Sequence, residues 1–307
     1  MNAEQLLKQI KTNRDLIVRN NEHAYEHLQM LKNDYAHLVN EEVTLSIELN
    51  KTLAELHFKS NYSGAIENSL AVVDKFRDSG FNSLLARHLK TIGHCFAHIG
   101  EFNLAEQNLK EALCIITPDE PNYNSVRAEI LHTLAMNEDI KDEGSEKAIA
   151  HLTEAIDLLS DKAHEVMKAN CLMGLGNIYN SANKAEEALK HYLVAAETFE
   201  HHYLLRNMAS VYSNIGNCYT LLKKFDEAER YLEKSLELRM KFGSPDDISI
   251  SYFNLAIVHK DKNDLEKSGE FLAKSKVILE QIGNKPFLKQ INEMIDDIDR
   301  MKALASA

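Results

Sequence analysis

Apolar positions along this chain follow two nested periods. Locally they fall at helical spacing, most clearly at Ala188, Leu189, Tyr192, Ala195, Ala196 and Phe199. Ala228, Tyr231, Leu232, Ser235, Leu236 and Leu238 nearly repeat that order. Apolar residues at i, i+1, i+4, i+7, i+8 and i+11 form the broad stripe of an amphipathic helix packed along one side. The longer period is about forty residues. Leu175-Gly176-Asn177-Ile178-Tyr179 leads to Glu186-Glu187-Ala188, and Ile215-Gly216-Asn217-Cys218-Tyr219 leads to Asp226-Glu227-Ala228. Each copy carries a small residue, an aromatic three places on and an alanine twelve places on. A fixed period of this length predicts a stack of supersecondary units, each too small to bury its apolar face alone.

Two markers run through most of the chain. The residue opening each predicted second helix is Ala24, Ala65, Ala105, Ala148, Ala188, Ala228 and then Ser268, in steps of 41, 40, 43, 40, 40 and 40. The small residue of each first helix is Ala54, Gly93, Ala135, Gly176, Gly216 and Ala256. Glycine inside a helix costs up to about 1 kcal/mol relative to alanine, so its return at one phase predicts close helix crossings. Breakers separate the helices at Ser79-Gly80, from Pro118 to Pro121, at Gly243-Ser244-Pro245 and at Gly283-Asn284-Lys285-Pro286. Gly243 and Gly283 are each expected to end a helix in the left-handed conformation. Beyond Phe287, the residues Leu288, Ile291, Ile295 and Ile298 share one face. That face suits a helix closing the open end of a stack, or a short coiled-coil lead into a partner.

These residues resemble the tetratricopeptide repeat family. Its order of Leu, Gly or Ala, Tyr, Ala, aromatic and Ala is met by Leu175, Gly176, Tyr179, Ala188, Tyr192 and Ala195, and by Ile92, Gly93, Phe96, Ala105, Leu109 and Ala112. Units near forty residues resemble the subgroup of kinesin light chain, Pins-type scaffolds and bacterial Rap-type regulators. The resemblance implies an all-α fold, a right-handed α-solenoid of about seven tetratricopeptide helical hairpins plus a C-terminal capping helix. Residues 1–40 would form a degenerate N-terminal hairpin, 41–283 six repeats and 284–307 the cap, all in one continuous solenoid.

Composition narrows the function. The formal charge is −12 with 35 Lys and Arg against 47 Asp and Glu, and no dense basic patch is present for phosphate contacts. Nucleic acid is therefore not an expected partner. No apolar run approaches the length of a membrane span, and residues 1–20 lack a signal-peptide core. Cys95, Cys114, Cys171 and Cys218 show no ligand spacing, which fits a reducing cytoplasm.

Candidate chemistry is sparse. His94 with His98, and His23 with His27, are one helical turn apart, but a zinc site needs three or four ligands. The stretch Asp139 to Glu146 resembles a calcium loop only faintly, because Lys141 and Ala150 stand where ligands should be. No nucleophile–base pair or phosphate-cradling loop is found, so neither catalysis, a cofactor nor a metal is expected.

Asparagines carry more information. Asn214 and Asn254 precede the small-residue marker by two, while Asn177 and Asn217 follow it by one. The resemblance turns these phases of the first helix toward a concave groove. An amide offers a donor and an acceptor together and can grip an extended peptide backbone. The alternative is that these amides bond between adjacent helices and set repeat register. Neighbouring groove phases supply Lys90, His94, His132, Met136, Met173, Asn180, Ser213, Phe253, Ile257 and Lys260. The carboxylate clamp of chaperone-binding relatives is not matched, since His94 follows Lys90 by one turn and Met173 precedes Asn177 by one turn.

The expectation is a non-enzymatic scaffold or adaptor that binds a protein or peptide segment in its groove, with homodimerisation left open by the stack ends. A second reading is a bacterial Rap-like regulatory sensor responsive to a signalling peptide, or the input domain of a signalling protein. Rap-type regulators place a three-helix bundle before the repeats, and residues 1–40 offer about two helices.

Overall fold

A computed structural model describes residues 2–18, 23–59, 61–120, 122–142 and 144–305. Pro121 and the side chains of His23 and the marker Ala24 lie outside the described residues. Among the described residues there are sixteen α-helices and no strand. The chain divides into two compact units, Met1–Met167 and Lys168–Ala307.

The first unit contains α1 (Ala3–Val18), α2 (His23–Asp34), α3 (Glu41–Lys59), α4 (Tyr62–Leu70), α5 (Val73–Asp78), α6 (Asn82–His98), α7 (Phe102–Ile115), α8 (Tyr123–Lys141) and α9 (Glu146–Leu158). Helices pack as consecutive pairs, α6 on α7 and α8 on α9, with α7 joining α8. Leu89, Ile92, Leu109 and Ile130 are buried between them. The second helix of one hairpin is broken at Ala71–Val72 into α4 and α5, with no proline or glycine to announce it. Packing explains how the break is tolerated. His88 Nε2 lies 3.1 Å from the Ser69 carbonyl near the break and donates to it, while the imidazole stacks on Phe76 at 4.2 Å. His88 is fully buried, and burial pushes its pKa down to about 4, so the ring is neutral at ordinary pH.

The second unit contains α10 (Glu165–Ser181) from Lys168 onward, α11 (Ala185–His201), α12 (Leu205–Leu221), α13 (Phe225–Phe242), α14 (Pro245–Asp261), α15 (Leu265–Ile282) and α16 (Lys285–Ala305). Each first helix packs antiparallel on its second helix through the two markers. Ala188, Ala228 and Ser268 are all 0% exposed. The Ser268 hydroxyl donates to the Ala256 carbonyl at 2.8 Å, which lets a serine stand where the other repeats have alanine. A Cβ on Gly176 would meet the Tyr192 ring at 2.5 Å, and one on Gly216 would meet Leu232 Cγ at 2.6 Å. The helices cross closely at the glycine phase, as the recurrence implies. Ile291 and Ile298 of α16 are buried against the last hairpin.

The turns add a third register mark. Gly100, Asn183, Lys223 and Asn263 all take positive φ, each seven residues after the small marker. In these turns the following N–H closes on a carbonyl five residues back, as Lys184 on Tyr179, Lys224 on Tyr219 and Asp264 on His259. Gly283 ends α15 in the left-handed conformation with φ 73°. Gly243 does not follow it. Its φ and ψ are −83° and 163°, and its N–H bonds the Arg239 carbonyl while the chain runs extended into the Ser244 capping box of α14. The proline at Pro245 disfavours a helical Ser244, so the linker leaves α13 straight.

Candidate functional site

First helices carry most of the sequence-predicted site residues, and the structure divides those residues between the units. In the first unit, Lys90 Nζ lies 3.1 Å from Glu129 Oε2, and Arg87 bonds the other carboxylate oxygen. Burial alone would raise the Glu129 pKa, but the two cations hold it down to about 2. Lys90 therefore ties α6 to α8. The His94 ring meets His98 edge-on at 4.4 Å, and His98 stacks on Tyr62 at 4.4 Å. Among the described residues no group of three or more His, Cys, Asp or Glu side chains is placed to hold a metal ion.

In the second unit the amides bond from one first helix to the next. Asn207 Nδ2 donates to Asn170 Oδ1 at 3.2 Å. Asn214 Nδ2 donates to Asn177 Oδ1 at 3.0 Å, and the Tyr192 hydroxyl donates to the same oxygen at 2.8 Å. The Cys218 thiol lies 3.6 Å from Asn180 Oδ1. Asn254 Nδ2 donates to Ser213 Oγ at 3.2 Å. Met173 packs among the half-buried side chains around α10 and α12, and Phe253 meets Phe287 of α16 edge-on at 5.3 Å. Lys260 stands half-buried on α14.

Asn217 is the exception, because its amide has no hydrogen-bond partner among the described residues. The reason lies one repeat back. By the spacing of Asn177 and Asn214, the partner of Asn217 would be Asn254. Ser213 draws Asn254 away, whereas the matching residue in the preceding repeat is Met173, which offers no comparable acceptor. Where the pairing is missing, a cavity of about 690 Å³ opens between α12 and α14. Asn217, Thr220, Leu221, Lys223, Phe225, Asn254, Ile257 and Asp261 line it. Thr220 already donates to the Gly216 carbonyl, so its oxygen can only accept further. Asn217 thus supplies a neutral donor and acceptor over an apolar floor of Leu221, Phe225 and Ile257.

Sequence reasoning did not single out Thr220, Leu221, Lys223, Phe225 or Asp261. Lys223 had a usable signal, since it shares its turn position with Gly100, Asn183 and Asn263 and is the one residue there that resists positive φ. The thiols add no reactive group to this site. Cys95, Cys171 and Cys218 are buried, and burial pushes the first two up to about 12 and the third to about 11.

Residues 207–280 match the family model for the tetratricopeptide repeat. A curated relative, Tonsoku-like protein of Danio rerio, is 24% identical over 216 residues, which is 69% of this chain and 14% of that protein. The chain thus spans only a small part of that relative's length. Among solved structures, BtubC from P. vanneervenii superposes with a TM-score of 0.63 at 22% identity, covering 72% of this chain and 92% of that one. A Signal Transduction ATPase with Numerous Domains protein with a tetratricopeptide repeat sensor, from Pyrococcus horikoshii, gives 0.72 at 15% identity, covering 96% and 43%. A Rap protein complexed with Competence and Sporulation Factor gives 0.60 at 14% identity, covering 98% and 99%. At these identities the likeness is one of fold.

Proposed function

We propose that the chain is a non-catalytic adaptor of tetratricopeptide type, which binds an extended peptide or protein segment on the first-helix face of its second unit; the family match over residues 207–280 supports this reading. The observation that carries this reading is the α12–α14 cavity, where Asn217 alone among the first-helix marker asparagines keeps its amide free. An amide beside an apolar floor can hold one backbone unit while a side chain covers Leu221, Phe225 and Ile257. One such hydrogen bond contributes about 0.5–1.5 kcal/mol, so the apolar contact supplies much of the affinity. Asn177, Asn214, Asn254, Asn180 and Lys90 would act as the frame that fixes helix spacing. Met173, Phe253 and Lys260 would flank the bound segment.

Selection of peptides from a random display library tests this. The selected peptides should lose about tenfold or more in affinity for a folded Ile257→Asp variant and less for Asn217→Ala. Failure to select any peptide, or unchanged binding to both variants, would overturn the reading. A sensor role is the second reading, supported by the end-to-end likeness to a Rap protein complexed with Competence and Sporulation Factor. It predicts a fall in radius of gyration on peptide binding, measured by small-angle scattering.

A further inference from the structure

We infer that the α12–α14 cavity prefers a segment whose apolar side chain is flanked by one acidic and one basic residue. The inference rests on the peptide-binding reading above and gives it a sequence preference. Two opposite charges line the cavity from different elements: Lys223 in the turn between α12 and α13, and Asp261 at the last residue of α14. Among the described residues neither makes an ion pair. Their neighbour Lys262 shows the contrast, since Asp226 and Glu229 hold it at 3.1 Å and 2.9 Å. The two cavity charges therefore remain available to a ligand.

Lys223 also occupies a position that suits it poorly. Its φ is 58°, while the matching turns use Gly100, Asn183 and Asn263. A lysine there costs roughly 1 kcal/mol relative to residues that accept the left-handed region readily. A cation held in that conformation at the mouth of an open cavity is placed to meet an anionic group. Asp261 follows Ile257 by one helical turn, so a carboxylate stands beside the apolar floor on the opposite wall. Leu221 is 55% exposed and becomes covered only when something enters. A cavity of about 690 Å³ accommodates one large apolar side chain with its adjoining backbone. The two charges then give the segment a direction, its acidic residue toward the α12–α13 turn and its basic residue toward the end of α14.

The test uses synthetic peptides with a central leucine in a Gly/Ser frame, with Asp, Lys or Asn at each flank, read by fluorescence anisotropy. Peptides carrying one Asp and one Lys in the favoured order should bind about three- to tenfold tighter than the Asn-flanked peptide, and the reversed order should lose that gain. Lys223→Glu should switch the preferred residue at the acidic flank to Lys. Asp261→Lys should switch the basic flank to Asp. Both sites are exposed, so circular dichroism should be unchanged. Peptides that bind without flank preference, or a preference unmoved by either reversal, would overturn this inference while leaving the broader reading intact. No binding by any peptide, together with self-association abolished by Ile257→Asp, would assign the face to a second copy of the chain and overturn both.

Discussion

The two units join neighbouring first helices with different chemistry. Glu129 and Asn170 occupy one phase, six residues before the small marker of their helices. In α8 of the first unit that phase holds a carboxylate gripped by Arg87 and Lys90. In the second it holds an amide bonded to Asn207, continued by Asn177 with Asn214 and Ser213 with Asn254. The hairpin interiors differ in the same sense. Three residues after each marker, the second unit stacks Tyr179 on His191, Tyr219 on Tyr231 and His259 on Phe271. At that pair the α8–α9 hairpin of the first unit has Glu138 hydrogen-bonded to His151 at 2.9 Å. Charge follows this division, with 16 Lys and Arg against 27 Asp and Glu in residues 1–167, and 19 against 20 in residues 168–307. A repeat thus fixes where neighbouring helices touch and leaves open what kind of bond forms there. Ionic and neutral bonds respond differently to pH and salt, so the difference can be broken experimentally.

Acid should produce the largest effect. His88 has a pKa of about 4 in the fold against 6.5 free, so the unfolded state binds more protons between those values. Stability of the first unit is then complete above pH 6.5 and falls as pH drops toward 4, by about 3 kcal/mol. Glu129 and Glu106, both held down to about 2, extend the loss between pH 4.5 and 2. Hydrogen exchange at pH 7.5 and pH 5 should show protection lost first in α6–α9. His191, whose pKa burial also lowers, gives the second unit a smaller loss. Equal loss in both units would erase the distinction.

Glycine crossings come next. Gly176→Ala should destabilise by roughly 1–3 kcal/mol in urea unfolding, because the Tyr192 ring is pinned by its hydroxyl bond to Asn177 and cannot yield. Gly93→Ala meets Leu109, a more adaptable side chain, and should cost less. A reversed order would show that ring anchoring does not govern the crossing.

Glu129→Gln sharpens the ionic contrast. The group is about one-fifth exposed, so the expected loss is on the order of 1–2 kcal/mol and shrinks as salt rises. Asn214→Ala should cost about 1 kcal/mol with no dependence on salt. The smallest effect is expected at Lys223→Gly, which relieves the left-handed turn and should raise stability by less than about 1 kcal/mol. No gain there would show that the turn is unstrained.

Much of this is legible in the amino-acid sequence. Ala188, Ala228 and Gly216 announced themselves by period, because close crossing admits only small side chains at one phase. The α4–α5 break was not legible, since it depends on His88 reaching Ser69 from another helix. Gly243 misled because its neighbour Pro245 governs the local backbone. The asparagines showed their positions but not their partners. Whether Asn217 is free depends on Ser213, and nothing at Asn217 itself records that.

The Ser213 hydroxyl also bears on modularity. The hairpins carrying Gly176 and Gly216 share a backbone plan, yet among the described residues Asn177 is bonded and Asn217 is left uncommitted, and one side-chain oxygen makes the difference. Interchanging Met173 and Ser213 should therefore relocate the vacancy by one repeat along the chain, as moving a single peg shifts which slot on a rack stays empty. Specificity in such an array becomes a question of which internal bond is withheld, and it can migrate among repeats without any new contact residue being invented.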